Sequence, residues 1–541
     1  MSNVKLGSII YSSVMPMIRM YLIIGSGFFV TRKGYFGVTA ARAFSDMVMM
    51  IFLPALVFDK IVSYISIDDI KTIGVICFCA FIMYSINACM ATLLVLFTPV
   101  PKTPKDRWVG GAILAGIMQN VSDIPISYIQ AITLFTLDQQ NKGTAYVIIW
   151  LAMYVVVQFN CGLFKLVDWD FEYRDKNYIE PVGLEKLDIT PSVTDLERTP
   201  TLEKTLDENK LQILDTASEN PISQITSISS EYENESDAGP NPILNKNIAV
   251  DSLMPLKLVT TLNSGLSKIK SSTAAISKIP SSRNADNNLN INNSEILLSQ
   301  ELVKEYSNYQ PYNQNMSKIM KIVTESNLTT KDVDNSGEKI PFIKKYKLHY
   351  IIFFLENMLK PNSIVLIIAL TIALIPWLKA LFTNNGTIQL PNAPNEEPAL
   401  NFILLYAEYL GYPCVPMGLL LIGSVLARLE FSQVPKGFWK TAVCHTVFRL
   451  GVLPIIGTVF ISALKRIGWL SDPMAIFAST IEFCLPSATV QIYLTAAAMK
   501  PTDKTCTPLN CVGLYMIMQY TSLIVAVPIT VCYCIKNVID L

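Results

Sequence analysis

The chain has 541 residues, of which 51% are hydrophobic and 16% charged, too apolar a composition for a soluble protein whose surface must be hydrated. Lysine plus arginine equals aspartate plus glutamate at 43 each, so net charge points to neither nucleic acid nor an anionic surface as partner. No Walker-type phosphate loop, GxSxG elbow, dinucleotide fingerprint or zinc-ligand cluster occurs, and the eleven cysteines show no CxxC spacing; the expectation is neither an enzyme nor an ATP-driven pump, with no cofactor and no metal.

The first apolar segment, near 7–30, contains Pro16 and Arg19 and lacks a short apolar stretch ending in a small-residue cleavage site, so it reads as a retained helix. Segments near 40–62, 72–97, 108–136 and 143–166 follow. Within them, the uncharged runs Ile73 to Phe97 and Thr144 to Phe164 exceed the roughly 20 residues that cross a hydrocarbon core. Residues 167–345 are rich in Ser, Asn, Asp, Glu, Lys and Thr and cannot bury enough apolar surface to fold alone, which predicts a disordered loop. Short apolar patches inside it, such as Ile248 to Leu262, read as residual patterning or as transient surface helices. Five more apolar segments lie near 351–379, 400–427, 438–464, 472–498 and 509–535.

The expected fold is therefore an all-α polytopic membrane protein. About ten transmembrane helices form two five-helix repeats, 1–166 and 346–541, around the loop 167–345. An odd number of spans per repeat inverts the second repeat relative to the first, an arrangement that transporters use. Basic flanks set the orientation. Arg32 and Lys33, Lys102 to Arg107, Lys165 to Lys176, Lys344 to Lys347, Arg428 to Lys440, and Lys500 with Lys504 share one face, with Lys465 and Arg466 as the exception. That assignment makes the loop cytosolic and both termini lumenal or external, and it leaves the Asn385-Gly386-Thr387 sequon on the far side.

The fourth segment reads Gly116-Ile-Met-Gln-Asn120-Val-Ser-Asp123-Ile-Pro125 and the ninth Ser479-Thr-Ile-Glu482-Phe-Cys-Leu-Pro486-Ser-Ala-Thr489. Proline removes a backbone donor and clashes with the preceding turn, so backbone groups near Pro125 and Pro486 are freed in mid-membrane, where transporters use them to bind substrate or ion. Asn120 and Asp123 share a helix face, and Glu482 sits one turn before Pro486. Ionisable groups at that depth are expensive and usually functional. The plainer alternative is that the prolines only kink helices and the acids serve packing. Arg449, one turn after His445 in the eighth segment, either anchors an anionic group, neutralises Asp123 or Glu482, or makes an internal ion pair. The candidate substrate-binding set is Asn120, Asp123, Pro125, Glu482, Pro486, Thr489 and Arg449.

Phe52-Leu-Pro54-Ala-Leu-Val-Phe58, Asn120 to Pro125, Val415-Pro416 through Gly423, Arg449 to Pro454 and Pro486-Ser-Ala488, in that order, resemble the auxin efflux carrier family, particularly the fungal members of its PIN-like branch. The resemblance covers both membrane halves but not the loop. It implies ten helices in inverted repeats, with helices 4 and 9 crossing at the substrate site, an elevator mechanism, a homodimer and an endoplasmic reticulum location. Asp123 stands where many carriers have asparagine, and Glu482 adds a second acid, so the coupling ion, whether proton, sodium or none, stays open. The expected function is secondary transport of a small organic anion or amphipathic metabolite across an internal membrane. The partners are that substrate, carboxylate or amphipathic, together with membrane lipids and a second copy of the chain. The rival is a non-transporting membrane scaffold or regulator acting through the cytosolic loop.

Overall fold

The computed structural model describes residues 6–177, 299–306, 349–384, 388, 390–429, 434–500 and 506–539, which are helices joined by turns and irregular segments, with no strands among them. Among the described residues, seven helices are long and apolar enough to cross a membrane: Leu6–Arg32, Val38–Tyr64, Ile67–Phe97, Leu137–Asn177, Asn401–Ala427, Phe438–Arg466 and Thr507–Ile539. An eighth candidate span, Tyr350–Met358 with Pro361–Leu374, is bent by 67°. It was expected as one segment over 351–379. Pro361 accounts for the bend, because it opens a new helix and its ring bars the preceding residue from continuing the old one. Outward faces carry large apolar side chains: Leu22, Phe81, Tyr409, Val459 and Ile529 are 63% to 78% exposed. Such a surface suits lipid and not water.

Two further apolar segments are interrupted. We name α1 (Val109–Ile117) and α2 (Asp123–Ala131) for the halves of the first, and α3 (Pro473–Glu482) and α4 (Val490–Ala498) for those of the second. In both, the expected prolines fall near the break, Pro125 in the first turn of α2 and Pro486 between α3 and α4.

Proline also shapes unbroken spans. The five residues ahead of Leu53-Pro54 (Val48–Phe52) and those ahead of Leu453-Pro454 (Phe448–Val452) widen into π-helical turns. The widening relieves the clash between each proline ring and the carbonyl four residues back without breaking the helix. Close backbone approach fixes other contacts. A Cβ on Gly423 would lie 1.9 Å from the Ile24 carbonyl oxygen, so the helices Leu6–Arg32 and Cys414–Ala427 pack through a glycine that tolerates no side chain.

The stretch 167–345, predicted as disordered, contains two helical pieces among the described residues. The helix Lys165–Asn177 runs on from the fifth apolar segment, and residues 299–306 form a short helix. Each has a packing reason that composition averaged over the loop conceals. Asp170 is buried as the carboxylate partner of Arg107, at 3.1 Å. Leu302, Val303 and Tyr306 bury one face of the short helix. Tyr306 lies 4.9 Å from Tyr493, centroid to centroid, and Arg42 donates to the Glu305 carbonyl at 2.9 Å. Ile248 to Leu262 and the Asn385 sequon lie outside the described residues.

Candidate functional site

Each interrupted segment begins with a capped half-helix. At α1, Asp170 accepts from the Gly111 amide at 2.9 Å. At α3, the N-cap Asp472 accepts from the amides of Met474 (2.8 Å) and Ala475 (3.3 Å). A carboxylate at a helix N-terminus satisfies free amides and opposes the positive end of the dipole. Lys142 in turn holds Asp472 at 2.7 Å and Asp69 at 3.2 Å.

The other ends of α1 and α3 run towards each other. Past their last turns the two strands of chain lie antiparallel and bridge Gln119 with Ser487: Asn120 N donates to Pro486 O at 2.9 Å, and Ala488 N to Met118 O at 3.2 Å. Side chains complete the junction. Ser487 Oγ donates to Ala115 O at 2.6 Å, and the Ser487 amide donates to Gln519 Oε1 at 2.6 Å.

Arg449 is 1% exposed and spans both breaks. Its Nη1 donates to Gly116 O at 2.6 Å and its Nε to Leu485 O at 2.9 Å, while Nη2 reaches Gln119 Oε1 at 3.4 Å. Gly116 is in the last turn of α1, where the dipole favours a cation, and Leu485 lies in the break beyond the end of α3. The arginine thus caps α1 and holds the break between α3 and α4. Three of its five N–H groups go to backbone carbonyls and to Gln119, and no ion pair joins it to Asp123 or Glu482 among the described residues. Gln119 stands between arginine and acid: its Nε2 donates to Glu482 O at 2.9 Å and to Glu482 Oε2 at 3.2 Å. Glu482 is fully buried, and its Oε1 has no hydrogen-bond partner.

Beside the junction lies a cavity of about 220 Å³. Asn120, Asp123 and Thr489 line it; Pro125, Glu482, Pro486 and Arg449 do not. The seven candidate residues therefore divide into three in the wall and four that build or back it. Gly418 makes room for Asp123, since a Cβ there would come within 2.1 Å of Asp123 Oδ1. The walls are otherwise largely apolar, with Val48, Leu53, Ile148, Leu151 and Phe159 among them. Sequence reasoning did not pick out Asp46, Asn362 or Tyr493, which also line the cavity. Their signal was a single polar group in an apolar segment, which is common and needs the fold to give it meaning. Gln119 and Gln519 were missed too, although each is an amide inside an apolar span.

Comparison with known proteins bears on this architecture. Residues 12–498 match the membrane transport protein family, that of the auxin efflux carriers. The chain belongs to this family. Similar proteins of Saccharomyces cerevisiae are the uncharacterized transporter YNL095C and the protein ECM3, both 31% identical, and the uncharacterized transporter YLR152C, 32% identical. Each alignment covers 99% of this chain and 99% of the relative. Family membership agrees with the resemblance drawn from the proline motifs, and it makes the chain an integral membrane protein of a transporter family whose members act on small molecules.

Proposed function

We propose that the chain is a secondary carrier that binds a small amphipathic organic molecule in the cavity beside the Gln119–Ser487 junction. One observation carries this reading: two interrupted helices meet end to end next to a cavity walled by Asn120, Asp123 and Thr489. Irregular backbone at membrane depth is tolerated where it is buried in protein or lines a cavity, and carriers place their substrates at such breaks. Counting the eight candidate spans and the two interrupted segments gives ten, as two inverted sets of five. In this reading the interrupted segments cross at the substrate site and move as one body against the helices Leu6–Arg32 and Asn401–Ala427, an elevator. A homodimer in the endoplasmic reticulum membrane, with 167–345 on the cytosolic side, completes the proposal and rests on the family resemblance and the basic flanks.

The test is uptake into proteoliposomes holding the purified chain, with a panel of labelled amphipathic amines, alcohols and carboxylates. Saturable uptake of one of them, abolished by filling the cavity with Gly418→Leu, is the expected result. Absence of uptake across the panel, by protein that remains folded and binds one of the probes, would favour a scaffold.

A further inference from the structure

The charged groups that line the cavity are acids. Asp46 and Asp123 line it, and among the described residues no lysine, arginine or histidine does. Cations behind the wall have partners of their own: Arg449 the Gly116 and Leu485 carbonyls, Arg428 the Ser424 and Phe36 carbonyls, Arg42 Glu305 together with the charge of Asp46, and Lys360 the ring of Phe159. No ion pair reaches Asp123 among the described residues.

Independent of the charges, two buried amide oxygens lack partners. Asn120 is 4% exposed; with its Nδ2 donating to Tyr520 Oη at 3.3 Å, its Oδ1 is left without a hydrogen bond. Asn362 Oδ1 is buried and likewise without a partner, and both residues line the cavity. A buried acceptor without a donor is destabilising, so a cavity that keeps two of them and also holds carboxylates suits a ligand that brings N–H groups. The N-terminus of α2, which could otherwise offer amides to an anion, carries Asp123 in its own first turn.

We infer that the cavity takes a small amphipathic organic cation, a protonated amine whose apolar body lies against the aliphatic wall and whose ammonium meets Asp123, Asn120 and Asn362. As a statement about transport, this rests on the carrier reading above. It replaces the expected carboxylate substrate: a carboxylate entering this cavity would meet Asp46 and Asp123 with no cation in the wall.

The experiment uses purified full-length protein in detergent and three probes of one shape, phenethylamine, phenethyl alcohol and hydrocinnamate, with their naphthyl homologues. A ligand that binds only the folded state raises the unfolding midpoint in proportion to its affinity. The amine is expected to stabilise the protein at roughly tenfold lower concentration than the carboxylate, the alcohol falling between. Asp123→Asn should erase that order, and Asn362→Leu should weaken the amine more than the alcohol. Should Asp123→Asn fail to fold, the ranking on wild-type protein still decides. The inference is overturned if the carboxylate binds as well as the amine, if no amine stabilises the protein, or if folded Asp123→Asn keeps the preference. The carrier reading fails separately: amine binding without uptake into proteoliposomes removes transport and leaves the selectivity, whereas saturable carboxylate uptake keeps transport and removes the cation.

Discussion

The Asn120 amide donates to the Pro486 carbonyl at 2.9 Å, across two stretches of chain that each leave a helix in the interior of the protein. A helix that stops there exposes amides and carbonyls that have no water to turn to. Here the two interruptions serve each other, so neither could persist alone. Where backbone partners run out, Ser487, Gln119, Gln519 and Arg449 supply the rest.

Arg449 gives the clearest prediction. If it caps α1 and holds the break after α3, losing its fork orphans two buried carbonyls at about 1–3 kcal/mol each. Both Arg449→Gln and Arg449→Lys should lower the thermal unfolding midpoint in detergent, because an ammonium cannot hold the same spread of acceptors. An unchanged midpoint with lost ligand affinity would instead return the arginine to the substrate.

Two glycines should separate packing from the site. Gly423→Ala drives a Cβ into the Ile24 carbonyl, which cannot rotate away, and overpacking of this kind costs about 1–3 kcal/mol. Gly418→Ala meets only the end of the Asp123 side chain, which can swing. The second variant is expected to keep most of its stability and lose affinity for the amine probe. Melting curves and probe titrations on the same preparations check both.

At the entrance to α3, Asp472→Ala removes a cap that holds two amides and an ion pair with Lys142. The loss should be about 0.5–2 kcal/mol, read as earlier unfolding. Lys142→Met, which leaves the cap in place, should cost less, since Lys142 is 33% exposed and its pairs are partly screened.

Deletions across the central loop should fall into two classes. Replacing 181–286 with a short flexible linker is expected to leave a monodisperse protein with its melting behaviour intact. Extending the deletion to 306 removes Glu305 and Tyr306 from Arg42 and Tyr493 and should lower the midpoint. In sealed microsomes, protease added outside should cut between 181 and 286, as a cytosolic loop requires; protection of that loop would reverse the orientation.

Much of the architecture was legible because the bilayer writes it in long uncharged runs, and because Pro125 and Pro486 mark helices that cannot continue. Asn120, Asp123 and Thr489 were legible for the same reason, as polar residues beside a break. The partners of Arg449 were not, since a sequence shows that a buried cation needs partners without showing that they are carbonyls 333 and 36 residues away. Nor was the helix at 299–306, where a few buried residues outweigh the polar composition around them. Asp46, Asn362 and Tyr493 join the cavity from three distant segments, and only the packing of those segments brings them together.

The Arg449–Gly116 hydrogen bond has a consequence for how the protein is made. At about 5–20 residues per second, the ribosome needs some tens of seconds to add the 333 residues between them. Throughout that interval α1 waits in the membrane with its terminal carbonyls bare, and neither Pro486 nor Ser487 yet exists to meet it. The nascent first half must therefore borrow hydrogen-bond partners from trapped water, the insertion machinery or a membrane chaperone, and it closes only when the ninth segment enters. Variants that slow the arrival of the second half, such as stalling codons in the central loop, should lower the yield of folded protein without altering the stability of the molecules that complete synthesis.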